Sequence, residues 1–313
     1  MLEQYAAICG CAAIVLYAVF GGADFGGGVW DLFARGPGAI AQREAIGEAM
    51  GPVWETNHVW LIYVLVLLFT CFPPVFAVLS ERLFVPLTLA LFGIVLRGAA
   101  FAFRGPSNRD LLPHKVWGAI FGAASLATPF VFGAAAAGIA TGSFAWLRPM
   151  GIAVGVFAMA LCAQLAAVFL TAETAGELRN DFRVRAYVAT IAVAITGAIA
   201  LGVARMFEAR LVAEMLTPLS VAIVGIAMAL GVCVLMLLRA EHVRWARVAV
   251  GAEVTAVLCA WFVAQAPYVL SEIGVPNAMA PDATVTAFLW ATVVGAIVLV
   301  PSLGLLFRVF KRS

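Results

Sequence analysis

Polar residues along this chain are confined to short intervals between apolar stretches of about twenty residues, the length a helix needs to cross the hydrocarbon of a bilayer. Nine such stretches stand out: Tyr5–Ala23, Val53–Phe72, Leu83–Phe103, Val116–Gly138, Gly151–Ala172, Val184–Val203, Pro218–Leu238, Val248–Val269 and Thr284–Phe307. The first extends towards Trp30, because only Asp24 interrupts it. Turn-forming clusters part the stretches, with "FPPV" at Phe72–Val75, "RGPSNRD" at Arg104–Asp110 and "GVPNAMAPD" at Gly274–Asp282. The pattern predicts an all-α integral membrane protein of about nine transmembrane helices. Helices 1 and 5 both end near an acid, Asp24 and Glu173. This allows two similar four-helix halves, residues 1–138 and 149–269, followed by a ninth helix and tail over 284–313.

Composition agrees: 64% of the 313 residues are hydrophobic and 12% are charged, where soluble domains carry about a quarter charged. The opening "MLEQYAAICG" has no basic residue ahead of its apolar run and reads as a first spanning helix, not a cleavable signal. A net charge of +2 gives no reason to expect a nucleic-acid partner. The six cysteines mostly fall inside apolar runs, without a C-x-x-C pair or a C-x-x-C-H haem-attachment motif, and read as small apolar fillers.

The connections assign a sidedness. Fifteen of the nineteen Lys and Arg residues fall on the side of the 1–2, 3–4, 5–6 and 7–8 connections and the C-terminus; Arg82, Arg148, Arg205 and Arg210 fall on the other. The positive-inside rule then predicts the N-terminus outside and the C-terminus in the cytoplasm.

Against that topology, "GPVWETNHVWLIYVLVLLF" (Gly51–Phe69) is unusual, because Glu55 and His58 lie three apart on one helix face, just inside the inner boundary. Asp24 and Arg97 fall at a similar depth, so that four ionisable groups from three consecutive helices gather near the inner face. An ion in hydrocarbon costs at least about 2.5–3.5 kcal/mol on insertion scales, so these groups must face inward and find partners. Two roles are open. Glu55, Asp24 and His58 are candidates for proton transfer from the cytoplasm. Alternatively, Arg97 is a buried counter-charge to Glu55 or Asp24, and the set holds three helices in register or reaches to the interface. Glu253 and Glu173 read as interfacial residues near the same face. In "FGGADFGGGVW", the four-residue spacing of Ala18, Gly22 and Gly26 is that of a close helix–helix contact; no G-K-[ST] follows, which argues against a phosphate loop. Trp30 reads as an interfacial anchor.

His58 is the one histidine in a predicted span, His114 and His242 being in loops, so bis-histidine haem ligation inside this chain is excluded. No segment outside the predicted spans is much longer than roughly twenty residues, about the length of one membrane-spanning helix and too short for a soluble catalytic domain. An enzymatic role is therefore expected only as a subunit.

Four segments, "YAVFGGADFGGGVWDL" (Tyr17–Leu32), "GPVWETNHVWLI" (Gly51–Ile62), "VLRGAAFAFR" (Val95–Arg104) and "AVFLTAETAGELRNDFRVRA" (Ala167–Ala186), together with the last span, resemble subunit II of cytochrome bd-type quinol oxidases, as a short, diverged branch. The resemblance implies two four-helix bundles with a peripheral helix. It also implies a partner, subunit I, that carries haem b, haem d and the quinol site, and a complex that reduces O2 to water. No cofactor or metal is then bound by this chain itself; its surroundings are lipid and quinone, with room for a small accessory subunit. By position, Glu55 matches a proposed proton carrier, Asp24 the second acid of a D-G-x-D pattern, and Arg97 the arginine of an R-x-x-x-F-[ED]-[FY]-R pattern. Gly21 and Ala102 stand where those patterns have acids. The rival functions are a stand-alone ion-coupled transporter, with Asp24 and Glu55 as coupling carboxylates, and a purely structural assembly subunit.

Overall fold

The computed structural model describes the backbone of residues 1–36, 38–103, 112–266, 268–270, 273–274 and 278–310. Side chains are described within these except at residues 50, 52–56, 112–114, 209–210, 214, 268–270, 273–274 and 306–310. Glu55 therefore has a described backbone and no described side chain, and "RGPSNRD" lies outside the described residues.

The elements, in chain order, are α1 (Leu2–Leu32), α2 (Ala39–Cys71), α3 (Pro73–Arg82), α4 (Phe84–Phe103), α5 (Leu112–Ala140), α6 (Pro149–Glu173), α7 (Gly176–Phe207), α8 (Ala209–Met215), α9 (Pro218–Arg239), α10 (Val243–Gln265), the hairpin strands β1 (Tyr268–Leu270) and β2 (Ile273–Gly274), and α11 (Asp282–Phe310). Among the described residues, eight helices are individually long and apolar enough to cross a membrane. Counting the bent pair Asn57–Cys71 and Pro73–Arg82 as one crossing gives nine.

Several helices outrun their apolar stretches. α2 begins at Ala39, fourteen residues before Val53, and α7 at Gly176, eight before Val184. Hydropathy marks where lipid lies; the helix itself continues because its backbone bonds are satisfied wherever the chain stays helical. At "FPPV" the chain makes an elbow, not a simple turn. Phe72 leaves the helical region (φ −130°, ψ 57°) ahead of Pro73, as residues before proline tend to. Pro73 and Pro74 then open α3, where their missing N–H groups cost nothing. The two helices meet at 118°. At the other end of the chain α10 stops at Gln265, short of the expected Val269, and the chain turns into the β1–β2 hairpin. The return segment is tied down where the Ala280 N–H donates to the Cys71 carbonyl at 2.9 Å, capping α2.

α1 and α6 lie at the centre. α1 packs against α2, α5 and α6, and α6 against α5, α7 and α10; α4 joins through α5, α9 through α10, and α11 lies along α2 and α1. One core unites Ala23, Leu165, Val168, Phe182, Val234 and Val250 from α1, α6, α7, α9 and α10, and a second, around Cys71, Val75, Leu83 and Phe144, fills the elbow end. The charged ends of α1, α2, α6, α7, α9 and α10 meet one another. Gln42 accepts from Arg185 at 2.6 Å and donates to Asp181 at 3.1 Å. Arg183 pairs with Glu241 at 2.8 Å, and Arg247 pairs with Glu173. These connections thus occupy one end of the bundle.

The glycines of α1 set its distances to its neighbours. A Cβ on Gly26 would stand 1.8 Å from the Cys162 carbonyl oxygen, and one on Gly22 would stand 2.9 Å from Leu165 Cδ1, both on α6. The small-residue spacing is therefore a backbone-to-backbone seam between α1 and α6, with Ala18 packed on the adjoining core. Trp30, expected as an interfacial anchor, also has partners inside the bundle. Its indole N–H donates to the Ala163 carbonyl at 2.8 Å, and the Arg185 guanidinium lies 5.4 Å from its ring centre, so it closes the end of the same seam.

Gly26→Ala should lower stability by about 1–3 kcal/mol, the usual range for overpacking, because carbonyl backbone cannot yield as a flexible side chain does. Gly202→Ala, where nothing lies within 4 Å, is the control. Thermal unfolding in mild detergent should separate the two, and equal melting would contradict the seam.

Candidate functional site

Asp24 and Arg97 meet in the interior between α1 and α4, at 1% and 3% exposure. Arg97 Nη1 donates to Asp24 Oδ2 and Nη2 to Asp24 Oδ1, each at 2.6 Å, and Nη2 also reaches the Asp24 carbonyl oxygen at 2.9 Å. This is the two-pronged geometry in which guanidinium and carboxylate bind most strongly. The remaining edge of the guanidinium is used as well: Nε donates to Ser125 Oγ at 3.0 Å, and Ser125 donates in turn to the Phe121 carbonyl at 2.7 Å. The rings of Phe121 and Phe25 flank the cation at 4.8 and 5.4 Å. A Cβ on Gly28 would stand 2.0 Å from Ser125 Oγ, so the absence of a side chain there is what admits the serine.

Three of the four predicted inner-face residues can be placed. Asp24 and Arg97 are in direct contact, and His58, on α2, is within electrostatic reach of Asp24. The Glu55 side chain lies outside the described residues. Asp24 is eight residues from the end of α1, about 12 Å along the helix. Beyond this site, towards the "MLEQYAAICG" end of α1, buried polar atoms without a hydrogen-bond partner occur at Tyr17 Oη and Asn57 Oδ1. Both side chains lie against the bare side of Gly21, where a Cβ would be 3.2 Å from Asn57 Nδ2 and 3.3 Å from Tyr17 Cε2.

Glu253 corrects the sequence reading. It is 5% exposed, within the bundle, because α10 starts at Val243 and places it ten residues in, about 15 Å from that end. Gln164 Nε2 donates to Glu253 Oε2 at 2.8 Å and to Thr190 Oγ1 at 3.2 Å. The signal in the sequence was Gln164 itself, the one strongly polar residue in an otherwise apolar run on α6. Glu173, by contrast, is a boundary residue paired with Arg247.

The profile of the family described as "Cytochrome bd terminal oxidase subunit II" matches residues 2–310. The chain belongs to this family. It is similar to the cytochrome bd ubiquinol oxidase subunit 2 of Bacillus subtilis (31% identity, covering 65% of this chain and 63% of that one). It is also similar to the cytochrome bd-I ubiquinol oxidase subunit 2 of Escherichia coli K12 (26%, covering 60% and 53%). The match therefore spans less than two thirds of either relative's length. In fold it is similar to a chain in the structure of bd oxidase from Geobacillus thermodenitrificans, with TM-score 0.80, 20% identity, and coverage of 99% of this chain and 98% of that one. With its apolar helices, this bd subunit II chain is a multi-pass protein of the bacterial inner membrane. Gly21 is lined by Asn57 and Tyr17, as described, and Ala102 is exposed near the end of α4. The acids expected at these two positions are thus not replaced by charges on the same residues.

Truncating one partner of a buried ion pair leaves the other uncompensated. Arg97→Leu should therefore cost about 3–5 kcal/mol, and Asp24→Leu combined with Arg97→Leu should recover most of it. Melting of the purified protein tests this as a double-mutant cycle, and additive losses would show that the two side chains do not act as a pair.

Proposed function

We propose that this chain is the non-haem subunit of a bd-type quinol oxidase, in which quinol is oxidised and O2 reduced to water. Haem b, haem d and the quinol site belong to a partner subunit I that this chain stabilises. Family membership across residues 2–310 is the observation that carries the reading. The composition of the spans supports the division of labour, since His58 is the one histidine in a predicted apolar stretch. The long apolar faces of α9 and α11 offer surface to lipid or to such a partner, with Met228, Trp290 and Ile297 about two-thirds exposed. The halves 1–138 and 149–269, with 284–313 outside them, form the two bundles and the peripheral helix. The end of the bundle that gathers the arginines faces the cytoplasm, with the N-terminus outside.

Protons for the reaction enter from that end, with Glu55 and His58 as the exchanging groups. Asp24 completes the set, and its contacts favour a fixed role over a mobile one. Held by both prongs of Arg97, it sets the potential that Glu55 and His58 feel. A purely structural reading rests on the same contacts, because the Asp24–Arg97–Ser125 network alone would lock α1, α4 and α5. A stand-alone transporter is disfavoured by the match of residues 2–310 to the oxidase-subunit family.

Glu55→Gln should slow O2 reduction on the order of 10²-fold, the lower range for a positioned proton donor, with the haem spectrum of the purified complex unchanged; Glu55→Asp should restore much of the rate. Loss of haem absorbance or of the partner in Glu55→Gln would instead assign Glu55 a structural role. A colourless, single-chain preparation from mild detergent would overturn the oxidase reading itself.

A further inference from the structure

In the second half of the molecule, Glu253 sits in the interior with no Lys, Arg or His paired to it among the described residues. We infer that Glu253, Gln164 and Thr190 form a second proton-binding site inside the membrane, separate from the Asp24–Arg97 pair, in which the carboxyl holds one exchangeable proton.

Three observations carry this. First, an isolated carboxylate removed from water is far costlier than a neutral acid, and the surroundings of Glu253 hold amide, hydroxyl and methyl groups. α6 presents Gln164, α7 presents Thr190 through Gln164, and α9 presents the bare Gly231; α1 reaches this part of α10 with Val19, 3.9 Å from where a Gly251 Cβ would be. Of the charges on these helices, Arg247, six residues earlier on α10, pairs with Glu173, Arg183 with Glu241, Arg185 with Gln42 and Asp24 with Arg97, while Arg179, Arg205, Arg239 and Arg244 are exposed. The remaining weakly ionising neighbours in the same packing layer are Cys233 and Tyr187, beside the core, and Cys162 on the α1 seam.

Second, the hydrogen bonds lack one donor. Gln164 is fully buried, its Nε2 is committed to Glu253 and Thr190, and its Oε1 accepts nothing. A proton on Glu253 converts an acceptor into a donor and provides what the pair lacks, as in an acid–amide pair. Turning the amide over does not remove the need, since Oε1 would then face Glu253 Oε2, two acceptors that only a proton can join. Thr190 lies against Nε2, from which it accepts, and is within hydrogen-bond distance of the Ala186 carbonyl at 2.8 Å.

Third, the space is shaped for the carboxyl. A Cβ on Gly231 would stand 2.9 Å from Glu253 Oε1, so α9 is smooth where the acid lies against it. The chemistry is proton binding alone: one O–H bond forms on the carboxylate, and it breaks when the proton leaves.

Infrared spectroscopy of the purified two-subunit complex at neutral pH tests the site directly. The expected result is a protonated-carboxyl C=O band that shifts in D2O and is lost in Glu253→Gln. Gln164→Leu leaves the acid in place and should move the same band to higher frequency by removing its amide partner. Glu55→Gln should leave it untouched, so that this site and the proposed inner-face route stand or fall separately. The inference is overturned if neither Glu253→Gln nor Gln164→Leu changes any carboxylic-acid band, or if the Glu253 signal appears among ionised carboxylates. Should Glu253→Gln fail to assemble, the Gln164→Leu shift decides.

Discussion

A guanidinium and a carboxylate, each almost fully removed from solvent, are joined by two contacts of 2.6 Å between α1 and α4. The rest of the structure is arranged so that this pair can exist inside a membrane. Either ion alone would be costly there. Together they need a close fork-to-fork fit, a third acceptor for Nε and aromatic faces for the flat sides of the cation. Those come from Ser125, Phe121 and Phe25, hence from α5 and α1. The fit holds only if three helices approach closely, and the glycines of α1 let them. Gly28 admits Ser125, while Gly22 and Gly26 bring α6 against the opposite side. The glycine-rich stretch is thus the negative image of its neighbours, more than a flexible segment.

Much of this was legible in the sequence, for physical reasons. Eight of the nine apolar runs correspond to helices individually long and apolar enough to cross, and the run in α2 does so only as part of its bent pair with α3; Asp24, Arg97, Glu55 and His58 are conspicuous because hydrocarbon makes charge expensive. The spacing of Ala18, Gly22 and Gly26 announced a seam. Its partner was not legible: any of several helices could have filled it, and only the fold selects α6. The pairing of Arg97 with Asp24 was one of two options, since helix rotation about the axis decides which acid the guanidinium meets.

Where the structure goes beyond the sequence pattern, the causes are physical. Hydropathy reports the slab of lipid, not the helix, so α2 and α7 began earlier than their apolar runs. For the same reason the apolar run from Val248 suggests a boundary position for Glu253, although α10 has already run ten residues before reaching it. The position of Trp30 along the axis fits an interfacial belt residue. Its orientation towards Ala163 and Arg185 is tertiary information. The elbow at Phe72 shows the limit of turn signals: two prolines announce a break, yet they can themselves open a new helix, as they do in α3.

The depth of the charges has a further consequence. From the arginine-bearing end, acids and bases reach inward as far as Asp24, Arg97 and Glu253 and then stop. The spans beyond, such as residues 4–23 of α1, 84–96 of α4 and 254–265 of α10, contain no Asp, Glu, Lys, Arg or His at all. Across those stretches α1, α4 and α10 offer a proton no strongly ionising side chain, so in these helices a relay from the arginine-bearing end would run no deeper than Asp24, Arg97 and Glu253.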